Sequence, residues 1–501
     1  MSNKIFVETI FKKKYLIFFI ILIGVILKLL YLQQLDDYYD DWNFFFTVDP
    51  NISNELTWVR YYGDRRILEQ YNAYDYQKVG EDFPYYFAFF TKFILNIVGY
   101  SVEKVHYLVL SFSILSLFII TKICDLIEQN VDFKILTLLL FVSNLYLIKD
   151  LSALRPHSLS ILLTLISLYF FILIYFKKQK SLKNIVIYSL LTLCYLLIWP
   201  LNLAFFAGKL FVLLLIFTNR SYNDLKIIIV PSVIVIFLYL ILNHHYLEYQ
   251  VLNKTEHYTS LNIKFFYSYF FNMFFGSIYF GGIMLILFSF FFINKIYQYL
   301  KILKNKFLFY QSLKIENIFL IIIVIIYILI IGYSILRAPV MAAKYVPFLV
   351  PILIFWLSYK IFILKNKLIY FSVILFSILN SAIFWNDIQI DRPPIKKVLY
   401  EIKKSQINKI FTSESYVFNH YLENYDVSIN NNLEFNKFSD FKSNDLPNKF
   451  WFICLNNARF IKGQNNLPDE ERCFAFKGEK NLKLIKTLRM NDILMHVVQK
   501  N

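Results

Sequence analysis

The chain has 501 residues, of which 58% are hydrophobic, 20% aromatic and only 17% charged, with a formal net charge of +17. Soluble domains carry about 25% charged residues, so this composition excludes an ordinary water-soluble domain and points to a polytopic membrane protein. The positive balance does not point to nucleic acid, because the lysines cluster in short loops between apolar runs and there is no basic-aromatic module or glycine-rich phosphate loop.

The first apolar run, Tyr15 to Leu32, reaches the roughly 18–20 apolar residues that a bilayer core demands. It is long for the core of a signal peptide and no small-residue cleavage site follows it, so it reads as a span. "FKKKY" precedes it and places the N-terminus in the cytoplasm. Candidate spans are then 15–33, 105–123, 133–149, 157–176, 184–200, 203–217, 226–242, 270–293, 316–335, 344–361 and 368–386, eleven in all.

The segment Pro84 to Gly99 is short for a crossing. If it does not cross, "KKQKSLK" (177–183), "NKIYQYLKILKNK" (294–306) and "KIFILKNK" (360–367) all face the cytoplasm. If it crosses, these lysine clusters move outside, against the rule. It is therefore expected to be a helix along the outer interface, with Tyr85, Ala88, Lys92, Asn96 and Gly99 as its polar or small stripe. Lys28, late in the first span, is expected to snorkel outward.

The eleven crossings put residues 387–501 outside. This segment is soluble in character and reads as a small α/β domain: strands at 408–415 and 449–455, a helix at "YVFNHYLENY" between them, and a terminal hairpin around Arg489–Asn491. The overall expectation is mainly α: a helical membrane bundle over 1–386 and a small extracytoplasmic α/β domain over 387–501. Cys454 and Cys473 share that outer domain, which leaves a disulfide between them open. Cys124 and Cys194 fall at or inside spans and read as packing residues.

Chemistry concentrates in the first outer loop. "YYDDWNFFF" (38–46) sets Asp40 and Asp41 side by side among aromatic rings just past the first span. Adjacent carboxylates among rings at a membrane edge hold their protons more tightly, which is how a general base is tuned. "GEDFPYYFAFF" (80–90) adds Asp82. Among cations, Lys92, Arg155, Arg337 and Lys344 all fall on the outer face. "NHHYLEYQ" (243–250), with His257, reads as an aromatic-rich outer loop rather than a metal site.

A first span, an adjacent acidic pair and then a Pro-aromatic segment resemble the GT-C glycosyltransferases. The likeness is to the protein O-mannosyltransferase-like branch, which includes the bacterial lipid A aminoarabinose transferases. Asp40-Asp41 matches that family's Asp-Glu pair. "EDFPYYFAFF" is similar to its His-Pro-Pro-Leu-Tyr-Tyr stretch, with Phe83 for the His and Pro84 kept. "KDLSALRPHSLSILLTLISLYFF" (149–171) resembles an outer-loop element, with Arg155 in the Arg place and His157 in the Tyr place. "RAPVMAAKYVPFLVPIL" (337–353) resembles a late loop, with Lys344 where Arg is usual.

The resemblance implies a sugar donor on a polyprenyl phosphate, with its tail between spans in the lipid bilayer. Asp40 would take a proton from an extracytoplasmic acceptor (a glycolipid, glycan or protein), with inversion at the sugar carbon. Asp41 and Asp82 would hold the acceptor or support the base. Lys92, Arg155, Arg337 and Lys344 would bind the donor phosphate. No metal ligands are assigned, and the departures at Phe83, His157 and Lys344 leave a divalent metal open. A bacterial inner (plasma) membrane is the implied location. The competing readings are another envelope polysaccharide polymerase or ligase, or a lipid or glycan transporter. A polymerase or ligase would carry its large loop late in the chain. A transporter often shows two similar halves and glycine-broken spans, and neither is evident with eleven glycines.

Overall fold

The structure, a computed structural model, describes residues 2–34, 36, 44–45, 48–51, 85–152, 154–217, 222–246, 273–302, 315–336, 345–390, 394–412, 418, 421, 433–437, 446–455, 481–490 and 493–501. The chain divides into two compact units, residues 1–33 with 44–385 and residues 34–43 with 386–501.

The first unit is helical. Its elements are α1 (Ser2–Gln34), α2 (Tyr85–Val98), α3 (Val102–Ile127), α4 (Val131–Val142), α5 (Leu145–Ser152), α6 (His157–Tyr175), α7 (Leu182–Ile198), α8 (Leu203–Phe217), α9 (Tyr222–Tyr246), α10 (Ile278–Ile302), α11 (Ile315–Leu336), α12 (Leu349–Ile363) and α13 (Lys367–Ile390). Side chains that prefer caps start several of them. Ser101 accepts from the Lys104 amide at 3.2 Å, Asn130 from Asp132 at 2.8 Å and Ser181 from Asn184 at 3.2 Å. Trp199 is held extended before Pro200, which stops α7 there.

Among the described residues six helices are long and apolar enough to cross a membrane: Tyr15–Gln33, Val102–Ile127, His157–Tyr175, Ile278–Tyr297, Asn317–Leu336 and Lys367–Asn386. This is fewer than the eleven expected. Four of the others are shorter apolar helices, at Leu182–Ile198, Pro200–Leu215, Ile229–His244 and Leu349–Ile363. The expected span 133–149 is broken into α4 and α5 at Ser143–Asn144.

The break has a cause in those two side chains. The Asn144 carbonyl oxygen accepts from the Leu147 amide at 2.9 Å and so caps α5, while its amide donates to the Phe274 carbonyl at 2.7 Å. The Ser143 and Ser377 hydroxyls lie 2.5 Å apart, and Ser381 donates to the Ser143 carbonyl. Both exposed backbone ends thus find partners on neighbouring elements, as a buried chain break requires. Gly276, just before α10, sits at φ +84°, and a Cβ there would lie 2.7 Å from Leu145 Cβ on α5. Gly276→Ala should therefore destabilise the protein by about 1–3 kcal/mol; thermal unfolding in detergent checks it, and an unchanged midpoint would contradict the close approach.

The second unit holds α14 (Ile395–Ser405) and a five-stranded sheet in the order β2-β1-β3-β5-β4. The strands are β1 (Lys409–Thr412), β2 (Glu434–Lys437), β3 (Lys449–Leu455), β4 (Leu482–Met490) and β5 (Ile493–Lys500). β1 pairs parallel with β2 and β3, while β5 runs antiparallel to β3 and β4. On α14, Ile395, Val398, Leu399 and Ile402 are fully buried, at the spacing of one helix face. The Trp451 indole donates to the Ser405 hydroxyl at 2.8 Å, tying the end of α14 to β3. Lys396 pairs with Asp36 at 3.4 Å.

Strands β1 and β3 and the terminal hairpin are where the sequence puts them. The expected helix at 416–425 lies outside the described residues apart from Phe418 and Tyr421. Cys454 is disulfide-bonded, and Cys473 lies outside the described residues. Cys124 is free and buried as expected; Cys194 is free but exposed, not a packing residue.

Candidate functional site

Asp40, Asp41, Asp82, Arg337 and Lys344 lie outside the described residues. The described remainder of the first loop is pinned to the helical unit. Phe44, Phe45 and Val48 are buried. Phe44 stacks on Phe87 of α2 at 4.9 Å, and Phe45 meets His106 of α3 edge-on at 5.3 Å. The Tyr100 hydroxyl donates to the Phe45 carbonyl at 3.1 Å.

α2 is a helix as expected, but its expected stripe is split: the Ala88–Lys92 half is turned inward, while Asn96 and Gly99 are exposed. Ala88 and Lys92 are buried, together with Phe87, Thr91 and Leu95, whereas Phe89, Phe90, Phe93 and Ile97 are exposed. An interfacial helix would offer its charge to water; here the apolar face looks outward. Burial pushes the Lys92 ammonium below its usual range, and Asp49 opposes that push. The same burial, and then Asp49, push the Tyr100 phenol up.

The Asp49 carboxylate thus favours the charged form of Lys92 and would compete with a phosphate for it. Asp49→Asn should destabilise the protein at neutral pH by removing an attraction that offsets part of the burial of the Lys92 charge, and Lys92→Met added to it should restore most of the loss. Equal unfolding midpoints for wild type and the single Asn variant would contradict this attraction. The sign follows from the lowered Lys92 affinity for protons: the unfolded chain binds the proton better, so this group's cost fades as pH rises towards the ordinary lysine value.

The second cluster joins segments far apart in the chain. His157 opens α6, is buried, and meets the Trp199 ring edge-on at 5.0 Å. The Trp199 indole donates to the Tyr345 carbonyl at 2.8 Å. Asn202, in the turn after Pro200, donates to the Ser160 hydroxyl and to the Tyr195 carbonyl, each at 2.8 Å. Half-buried Arg155 immediately precedes this start of α6. The stretches 149–171 and 337–353 therefore meet, with Trp199 between them. Lys344 adjoins Tyr345 in the chain.

Trp199 and Asn202 escaped the sequence reading. Their only signal there is "WPLN" (199–202), a Trp-Pro step followed by an amide between two apolar runs.

Two further lysines lie inside the bundle. Lys28 does not snorkel: it is 2% exposed and its ammonium lies 3.5 Å from the Leu147 carbonyl. Lys209 of α8 is fully buried, donates to the Ser167 hydroxyl at 2.7 Å and lies 4.7–5.9 Å from the ring centres of Phe171, Tyr188, Tyr195 and Phe205. Residues 243–246 are the end of α9 rather than loop, and no group of three metal-ligating side chains occurs among the described residues. No family model matches the chain, and no curated protein matches it.

Proposed function

We propose that the chain is a membrane glycosyltransferase of the GT-C kind, moving a sugar from a polyprenyl-phosphate donor to an extracytoplasmic acceptor. The observation that carries this reading is that His157 meets Trp199, whose indole bonds Tyr345; Arg155 lies two residues before His157 in the chain and Lys344 one before Tyr345. The resemblance assigns both stretches to the donor side, and they converge although nearly 190 residues separate them.

Eleven crossings are supported by which helix ends touch. With the N-terminus inside, and with α4 and α5 counted as one broken crossing, each contact joins residues on the same side. On the outer side, Lys28 approaches Leu147, Tyr31 meets Trp385 at 6.4 Å, Trp199 bonds Tyr345, and the Tyr86 hydroxyl donates to Leu242 at 2.7 Å. On the inner side, Lys134 pairs with Asp125, the Tyr370 hydroxyl donates to the Asp132 carbonyl at 3.0 Å, and Phe133 meets Tyr359 at 5.8 Å. If α7 alone failed to cross, Trp199 would change sides and part from His157. The inner ends then carry the lysine clusters, as the positive-inside rule asks.

Asp40 is the base in this reading. It takes the acceptor's proton as the acceptor oxygen or nitrogen bonds the sugar carbon from the face opposite the lipid. The bond from that carbon to the phosphate oxygen breaks, and its electron pair leaves with the polyprenyl phosphate. Asp41 and Asp82 hold the acceptor or support the base. Arg155, Arg337 and Lys344 meet the leaving charge, and Lys92 does so in competition with Asp49. The setting is the bilayer of a bacterial inner membrane.

A reporter active only outside the cytoplasm, fused after Asn501, should be active; a cytoplasmic signal would contradict the eleven crossings. The activity is tested by reconstituting the chain with a labelled polyprenyl-phosphate sugar and following the label into acceptor.

A further inference from the structure

We infer that the first turn of α6, with Arg155 before it and the Ser158 hydroxyl within it, is a phosphoryl-binding site. The identity of its ligand, a prenyl phosphate, rests on the proposed function; the site itself rests on geometry.

Helix α6 starts without a side-chain cap. Pro156 holds the cap position at φ −62° and ψ −9° and makes no capping bond. The first amide to find a carbonyl is Ser160, which donates to Pro156 at 2.8 Å. The amides of Ser158 and Leu159 come too early in the helix to have an acceptor behind them. On an exposed helix water would serve them. Here Ser158 and Ser160 are fully buried and Leu159 is 3% exposed.

A second observation points to a ligand. The Ser158 hydroxyl is buried and has no hydrogen-bond partner among the described residues. Side chains on a helix tilt towards its N-terminus, so this hydroxyl looks back over the same open turn as the orphan amides. Donors with no acceptor, at the positive end of a 19-residue helix dipole, call for an anion. Arg155 adds a full positive charge two residues upstream. A phosphoryl group suits this set better than a halide, because its several oxygens can accept from amide, hydroxyl and guanidinium at once.

The chemistry gives the site its task. The donor is a phosphodiester with one negative charge. When the sugar carbon–oxygen bond breaks, the electron pair stays on the phosphate, which leaves as a monoester with a second negative charge; the proton goes from acceptor to Asp40. A helix N-terminus with an arginine just before it would bind that phosphate more tightly after the bond has broken than before, and so would favour the step itself.

The test uses the full chain in nanodiscs of zwitterionic lipid, with farnesyl phosphate as the probe. Farnesyl phosphate should bind and farnesol should bind at least tenfold more weakly. Ser158→Ala should weaken farnesyl phosphate about tenfold by removing one hydrogen bond to a charged group. Ser158→Asp places a carboxylate in the turn; it should abolish binding while raising the unfolding midpoint, which shows the variant folds. Inorganic phosphate should compete at high concentration.

The inference is overturned if both variants keep the wild-type affinity within twofold, if farnesol binds as well, or if phosphatidylglycerol in the disc displaces the probe as a bulk headgroup. The two readings separate cleanly. Sugar transfer that persists in Ser158→Asp refutes the site and leaves the transferase. Wild-type binding of farnesyl phosphate without any transfer refutes the transferase and leaves the site.

Discussion

Asp40→Asn should reduce sugar transfer roughly 10²–10⁴-fold, the usual contribution of a positioned general base. The amide keeps the shape of the carboxylate and cannot take the acceptor's proton. Transfer and donor binding should separate in this variant, because the lost group acts on the acceptor. Asp41→Asn should cost less, since a neighbour that tunes or supports a base is not itself the proton acceptor. Phe44, four residues after Asp40 in the chain, is buried and stacked on Phe87. A rate assay in reconstituted vesicles with saturating donor checks both. If Asp40→Asn and Asp41→Asn each kept full transfer, the base would have to be sought elsewhere.

Lys209→Glu should prevent folding. The wild-type ammonium sits among ring faces, whose electron-rich centres attract a cation, and donates to Ser167. Glu would turn a carboxylate towards those same faces, and it could only accept from the Ser167 hydroxyl where Lys209 now donates to it. Among the described residues no carboxylate pairs with Lys209, so the rings and the hydroxyl must offset the burial of its charge. Lys209→Met should be far milder, within about 1.5 kcal/mol of wild type, because it keeps most of the volume and removes the burial cost. Lys209→Ala should lose about 2–5 kcal/mol through the cavity left among α6, α7 and α8. Detergent-solubilised protein followed by size exclusion and thermal unfolding checks the series. A Glu variant with the wild-type midpoint would contradict the cage.

Apolar runs made most of the helical unit legible, because length and composition alone decide whether a segment suits a bilayer. The terminal hairpin was legible for a similar reason: two β-rich runs flank Asn491–Asp492. What escaped depended on partners distant in sequence. Ser143 and Asn144 sit in an apolar run that reads as unbroken, and only Ser377 and Phe274 explain the break. The stripe on α2 was visible, but its direction was not, because Asp49 precedes it by more than 40 residues. Helix α14 was missed since its charged residues hide a four-residue apolar face, and β2 is too short and polar to announce itself.

In the candidate site, Arg155 and His157 were legible as residue types beside a span. The rest was not, because Trp199 and Asn202 gain their meaning only where two helices meet. The orphan hydroxyl of Ser158 is likewise invisible in sequence, where serine at a helix start reads as an ordinary cap.

One reconstitution speaks most directly to the proposed function. Purified chain in vesicles would be given a polyprenyl-phosphate sugar labelled in the sugar, with total envelope glycolipid as acceptor. The expected result is label in acceptor, one polyprenyl phosphate released per sugar moved, and inverted configuration at the sugar carbon. Labelled donor that crosses the bilayer intact, with no sugar leaving its phosphate, would contradict it and make the chain a transporter.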